Sequence, residues 1–298
     1  MYNVVLESHE SLEKRKYAYD ILYKTIIRPI LNTLPSRAQV KIRKSHKFAD
    51  EVIEHKTSHK ALDIIYSDKY ADTERSHFKK ISYYVWRHTD NVIGVRNRLR
   101  LVKREIASTL NQITTPNSDE TVSILSIAAG SSRSILEVLV DHKCEHLKKI
   151  EIEFLDKNPQ ALNYSKLLAA QYQDSFCACY SFFWHEGNAN AFLESLPSAK
   201  KYDVVEMVGL LDYFDDKKVV TTLQNIRSHL KQGGVLLTGN ILPNKEQRFI
   251  TNVVGWKMMY RTPAKMFELS KMAGFERENV RIFVEPLGVH GLLVGQRT

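Results

Sequence analysis

From residue 121 onward, short apolar runs alternate with helical periods, and this alternation restricts the fold more than any other feature of the chain. The runs are "TVSILSIAA", "KIEIEFLD", "CYSFFWHEG", "YDVVEMVG", "GGVLLTGN", "NVRIFVEP" and "HGLLVGQR". Helices are expected between them, near 132–142, 159–173, 190–195, 216–231, 246–254 and 263–273. Parallel neighbours need crossover connections, and helices supply them, so the pattern predicts an α/β sheet covered on both faces. Only "EPLGV" separates the last two runs, so these are expected to pair as an antiparallel hairpin at a sheet edge.

Residues 8–112 have a different texture. "YAYDILYKTIIRPIL", "HKFADEVIEHKTSHKALDIIY" and "SHFKKISYYVWRHTDNVI" space their apolar groups by three and four, the period of an amphipathic helix. Pro29 is expected to kink or end the first of these. "GVRNRLRLVKREIASTLNQI" reads as a further helix with a basic face. The polar "TTPNSDET", containing Pro116, reads as a linker. Two units are therefore expected: a helical lid or cap over 1–115 and a sheet domain over 121–298.

Bulk properties narrow the function classes. The 298 residues are 43% apolar, enough for a sizeable core. There is no 18-residue apolar stretch, so no membrane span is expected. The first residues lack the basic-then-apolar layout of a signal peptide, and the chain holds 3 cysteines, so a reducing cytoplasm is the expected location. The net charge is +9, with 22 Lys+Arg against 15 Asp+Glu in residues 1–120. Such a basic front half suits nucleic acid, an anionic surface or acidic small molecules. The bases are interleaved with acids, which favours a solvated helical face and makes a nucleic-acid partner unlikely.

The stretch "ILSIAAGSSRS" ends the first strand of the sheet domain on three small residues. Ligands of open α/β sheets bind beyond the carboxyl ends of the strands, where helix N-termini offer free N–H groups. Small side chains there let a ligand lie against the backbone, and Gly130 permits positive φ. Taken alone, the stretch fits a tight structural turn equally well. The next strand ends on Asp156, 26 residues after Gly130. A carboxylate at that place can accept from both ribose hydroxyls of a nucleoside lying over the first turn, or it can cap the next helix. Asn188 and Ala189, after the third strand, match the place of a purine ring, and also a plain turn.

These three pieces, in this order, resemble the class I S-adenosylmethionine-dependent methyltransferases. The likeness continues through "KYDVVEMVGLLDYF" and "HLKQGGVLLTGN". More narrowly, "ILSIAAGSSRSI", "GLLDYF" and "GNILPNKEQRFITNVVGWKMMYRT" are similar to the methyltransferases of the extracellular factor, or 3-hydroxypalmitic acid methyl ester, type. The resemblance implies a Rossmann-like, mostly parallel sheet with an antiparallel last strand and an N-terminal helical domain. It implies S-adenosyl-L-methionine as cofactor, with Ser126, Ala128, Gly130, Arg133, Asp156, Asn188, Ala189 and Met207 as its contacts. The chain departs from the pattern at three places. Ser126 stands where an acid is usual, Ala128 replaces the first glycine and Ser132 a helix-side glycine, so hydroxyls and Arg133 are expected to serve the methionine half.

The acceptor is expected over the loop after the fourth strand. Tyr213 is a candidate for orienting the acceptor and facing the cationic sulfonium. Asp212 is a candidate base or amine anchor, and both equally suit helix entry. Tyr83 and Tyr84 are expected in the substrate pocket or in ordinary packing. Arg261 reads either as a carboxylate partner or as a ligand of backbone carbonyls. Trp256 and Tyr260 share a helical face, and Thr262-Pro263 suits a helix start. His185-Glu186 forms a suggestive pair. His142, Cys144 and His146 have metal-like types at poor spacing, so no metal is expected.

The resulting expectation is a methyltransferase acting on the oxygen or nitrogen of a small molecule, with a carboxylate or hydroxy-acid acceptor favoured by the narrower resemblance. One rival keeps the fold and cyclises S-adenosylmethionine itself to azetidine-2-carboxylate and methylthioadenosine. A second is an RNA-binding protein or RNA methyltransferase.

Overall fold

A computed structural model describes residues 3–67, 70, 76–113, 121–142 and 149–298. The expected linker with Pro116, together with Cys144 and His146, lies outside the described residues. The N-terminal part gives β1 (Asn3–Leu6), then helices α1 (Tyr17–Leu22), α2 (Arg28–Thr33), α3 (Ser36–Arg43), α4 (Lys47–Glu54), α5 (His59–Tyr66), α6 (His77–Arg87) and α7 (Asp90–Ile113). Pro29 does not end the first helix. The chain stays helical from α1 through a π-helical turn at Tyr23–Ile27 into α2, and the change of helical pitch just before Pro29 is how the stretch takes up the proline.

The second part alternates as β2 (Val122–Ile127), α8 (Arg133–Asp141), β3 (Ile150–Asp156), α9 (Pro159–Gln171), β4 (Tyr180–Glu186), α10 (Ala189–Ser195), β5 (Tyr202–Val208), α11 (Asp216–His229), β6 (Leu230–Ile241), α12 (Gln247–Phe249), α13 (Pro263–Met272), β7 (Val280–Val284) and β8 (His290–Gln296). The expected helix over 246–254 divides into the short α12 and a π-helical turn at Ile250–Val254, ended by Gly255 at positive φ.

The eight strands form one sheet in the order β1-β7-β8-β6-β5-β2-β3-β4. All neighbours are parallel except β8, which is antiparallel to both β6 and β7. The hairpin β7–β8 is present but is not the edge, because β1 pairs with β7 from Asn3↔Arg281 to Leu6↔Val284. The helical segment therefore shares its first strand with the sheet. From β2 the chain steps outward through β3 and β4, then returns to the other side of β2 as β5. That reversal opens a crevice at the carboxyl ends of β2 and β5, beside the register pair Ser126↔Glu206.

Two apolar layers cover the sheet. One face packs on α11 and α13, through residues such as Val205, Met207, Ile226 and Leu269. The other packs on α7, α8 and α9, through Ile106, Leu110, Ile135 and Leu168. A third cluster joins α4–α6 to Phe249–Val254. The expected basic face of α7 is solvated only in part, at Arg100 above all. Arg96 and Arg98 are buried, Arg96 pairs with Glu13, and Arg104 bonds Glu7 and Glu105.

Candidate active site

The chain after β2 makes a loop in which alternate residues have positive φ: Ala128 at 54°, Gly130 at 56° and Ser132 at 57°. The Gly130 N–H donates to Asp156 Oδ2 at 2.9 Å, and the Asn158 N–H donates to Oδ1 at 2.9 Å. Asp156 is thus fixed by two backbone donors at the end of β3, directly against the first loop. β4 aligns beside it through the Gly187 N–H, which donates to the Asp156 carbonyl at 3.1 Å.

These loops floor a cavity of about 490 Å³. Ala128, Gly130, Asp156, Asn158, Asn188 and Ala189 line one end. Asn188 Oδ1 is already engaged, accepting from the Asn190 N–H at the start of α10. The roof comes from the helical segment and is mostly apolar, with Phe48, Val52, Ile65, Trp86, Val92 and Val95. The far end carries Asp212, Tyr213, Trp256, Arg98 and His290.

Several expected cofactor contacts do not reach this cavity. Ser126 is fully buried and donates to Glu206 Oε2 at 2.6 Å. The acid missing from the end of β2 is thus found on the neighbouring strand β5, where burial raises its pKa to about 7 against the pull of Ser126 and Arg98. Arg133 donates to Asp63 and Glu137 instead of facing the loop. Ser132 shares a hydrogen bond with Ser165, which also accepts from Trp184. Met207 belongs to the core, and its neighbour Val208 lines the cavity in its stead.

Among the acceptor candidates, Asp212 and Tyr213 both line the cavity. Asp212 Oδ1 accepts from the Ile241 N–H at 2.7 Å, and its carbonyl accepts from Met259. Burial raises its pKa, opposed by Arg98 at 3.9 Å and by the Ile241 N–H. Tyr213 OH accepts from Trp256 Nε1 at 2.7 Å, and desolvation keeps the phenol protonated above the usual range. Arg261 is internal: it donates to the carbonyls of Leu211 and Phe214, to Asn240 Oδ1 and to Asp216, so it braces the Asp212–Tyr213 loop from behind. Tyr83 packs between the rings of His46 and Phe48, and Tyr84 against Tyr19 and His88. Trp86 is the member of that aromatic run which lines the cavity.

Thr262 caps α13 by accepting from the Lys265 N–H. His185 faces Glu153 at 3.0 Å rather than Glu186. His142 Nδ1 lies 3.0 Å from Tyr180 OH, and no cluster of metal-ligating side chains occurs among the described residues.

Three polar residues of the cavity carry no sequence motif. Arg98, in "VRNRLRLV", is buried, with its guanidinium against Gly209: a Cβ there would meet its nitrogens at 3.5 and 3.7 Å. Gly209 has φ 93°, so the β5 turn needs glycine for its backbone as well as for this contact. His290 is buried, and neither ring nitrogen has a hydrogen-bond partner. Burial, reinforced by Arg98, holds it neutral. His59 lies at the other end, beside Asp156. In sequence Arg98 is one of three arginines in "VRNRLRLV" and the two histidines sit in no motif, so nothing local singles these residues out.

A family profile described as "Putative methyltransferase" matches residues 52–297. No curated protein matches the chain. Among solved structures, a possible exported protein from Bordetella parapertussis is similar over 95% of this chain and 99% of its own, at 15% identity and a TM-score of 0.65. Magnesium protoporphyrin IX methyltransferase (ChlM) from Synechocystis PCC 6803, with bound SAH, is similar over 92% and 100%, at 12% identity and TM-score 0.52. The DszA carbon methyltransferase covers 94% of this chain and 70% of its own, at 15% identity and TM-score 0.54. At these identities the likeness is one of fold: a class I methyltransferase sheet. With the profile spanning most of its length, the chain belongs to the putative methyltransferase family.

Proposed function

We propose that this protein transfers a methyl group from S-adenosyl-L-methionine to a small anionic acceptor. The observation that carries the reading is the Gly130 N–H to Asp156 carboxylate contact, at the carboxyl edge of the sheet and open to the cavity. The residues present fit the adenosyl half of that cofactor. Asp156 can accept from ribose hydroxyls, and Asn188 and Ala189 border the place for a purine. ChlM, similar in fold, carries SAH in its structure.

The cofactor supplies a methyl already activated by a sulfonium, so the protein's task is mainly alignment and exclusion of water. Tyr213, protonated and held by Trp256, presents a ring face and a hydroxyl to the acceptor region. Arg98 offers a buried cation beside Asp212, which suits a carboxylate. Neutral His290, with two unpartnered nitrogens, can accept a proton or a hydrogen bond from a hydroxyl. The apolar roof suits a hydrocarbon body. The narrower resemblance to the extracellular-factor enzymes favours the same acceptor class, a carboxylate or hydroxy acid. Residues 1–115 serve as the cap and 121–298 as the cofactor-binding unit.

Calorimetry with S-adenosylhomocysteine tests the cofactor. Saturable binding is expected, with Asp156→Ala weakening it about 10–100-fold, as for the loss of hydrogen bonds to a charged group. Absence of heat with the wild-type chain overturns the reading. Mass spectrometry after incubation with S-adenosylmethionine alone tests the chemistry: methylthioadenosine without added acceptor would replace transfer by cyclisation.

A further inference from the structure

Helix α5 lies across the loop that follows β2. A Cβ placed on Gly130 would sit 3.5 Å from His59 Cβ. His59 is 7% exposed and lines the cavity next to Asp156, and its Nδ1 is buried without a hydrogen-bond partner. The turn that delivers it, Thr57-Ser58, also lines the cavity. Thr57 holds φ 70°, a conformation that branched side chains rarely adopt and that persists where surrounding contacts enforce it.

One turn further along α5, on the same face, stands Asp63. Its Oδ1 accepts from Arg133 Nη2 at 2.7 Å, and its Oδ2 accepts from Tyr164 OH at 2.7 Å. Arg133 opens α8 and Tyr164 lies in α9, the two helices that begin at the Gly130 and Asp156 loops. The His59 and Tyr164 rings are 5.4 Å apart, so the same contact surface continues between the two anchors. The side chains of Asp63 and Arg133 keep 23% and 21% exposure, so water reaches this pair and competes with it. Such a latch is strong enough to bias a helix and weak enough to open.

We propose that α5 is a gate over the nucleoside half of the cofactor site, with His59 contacting the ribose-bearing group and Asp63 as a positioning residue held by Arg133 and Tyr164. The proposal rests on the S-adenosylmethionine reading above. The unpartnered Nδ1 of His59 can donate to or accept from a ribose hydroxyl, complementing the acceptor-only carboxylate of Asp156. The cofactor then enters and leaves only when the Asp63 contacts break. It also follows why Arg133, beside the glycine loop, does not face the ligand: its charge is used to hold the cover.

The test measures S-adenosylhomocysteine binding and release with the full chain, together with amide hydrogen exchange of residues 59–66 without ligand. His59→Gln is expected to weaken binding about tenfold, as for one lost hydrogen bond in a desolvated site. Asp63→Asn should speed release about tenfold and raise exchange in α5. Tyr164→Phe should do both to a smaller extent, while leaving one anchor in place. In an Arg133→Met background, Asp63→Asn should add less than it does alone, because only the Tyr164 contact is then left to lose. Binding by His59→Gln within twofold of wild type, or unchanged α5 exchange in Asp63→Asn and Tyr164→Phe, overturns the proposal. If the wild-type chain binds no S-adenosylhomocysteine, the cofactor reading falls and the gate's ligand with it; a rise in α5 exchange would then show a latch without that ligand.

Discussion

The two walls of the cavity are built on different principles. On the sheet side, the main chain fixes the two cavity carboxylates: Asp156 by the Gly130 and Asn158 N–H groups, Asp212 by that of Ile241. On the helical side, side chains distant in sequence do the fixing. Glu246, fully buried after β6, accepts from the Asp90 and Asn91 N–H groups, from Asn91 Nδ2 and from Tyr23 OH, and so seats the start of α7. Asp90 in turn holds Arg15 and Arg28. Backbone-anchored groups come with the fold. Side-chain-anchored groups depend on individual residues, so the helical wall is the one that single substitutions can disconnect.

The largest expected effect probes that difference directly. Glu246→Ala strands several buried donors and should destabilise the chain by about 3–5 kcal/mol in chemical denaturation. If the cost is under about 1 kcal/mol, the helical wall is not held by this network. Next comes Glu206 on the sheet side. Its folded pKa, about 7, is raised above the ordinary 4.5, so the folded state keeps a proton that the unfolded chain releases. The stability this confers is full below 4.5 and is lost as pH rises through 7. Glu206→Gln should therefore remove a decline of roughly 3 kcal/mol across that window, read from denaturation midpoints at successive pH values. An unchanged slope would place the titration elsewhere.

Arg98→Met tests the buried cation that the helical wall brings to the acceptor region. It should raise the KM of a carboxylate acceptor at least about tenfold while S-adenosylhomocysteine affinity stays within about twofold, separating the two ends of the cavity. Equal losses for both ligands would indicate a general collapse of the roof. The smallest effect is expected from Trp256→Phe, which removes the indole donor to Tyr213 OH. A change of about 0.5–1.5 kcal/mol in acceptor binding, visible as a modest rise in KM, is the expected outcome.

The same division explains what the sequence revealed. The alternating runs after residue 121 report strand–helix crossovers, and local spacing placed Asp156 against Gly130 because a βαβ unit has few ways to connect. Arg133 and Arg261 look in sequence like free cations near a site. Their partners, Asp63 at 70 residues away and the carbonyls of the Asp212–Tyr213 loop, appear only when the chain is folded. Ser126 reads as a missing acid until Glu206 is seen beside it in register. β1 has only four residues, too few for periodicity to mark, and nothing in their local sequence sets His59 or His290 apart from the chain's other histidines. Polarity near a site was legible, whereas which polar groups had already been claimed by others was not.

Strand β1 has a consequence for how the chain assembles. Its one neighbour among the described residues, β7, is separated from it by some 278 positions, as in the pairing of Asn3 with Arg281. During synthesis, β1 emerges long before its companion β7 exists and waits, unpaired, until β7 has left the ribosome. Closing so long a loop is slow and entropically costly, so this margin of the sheet zips up last.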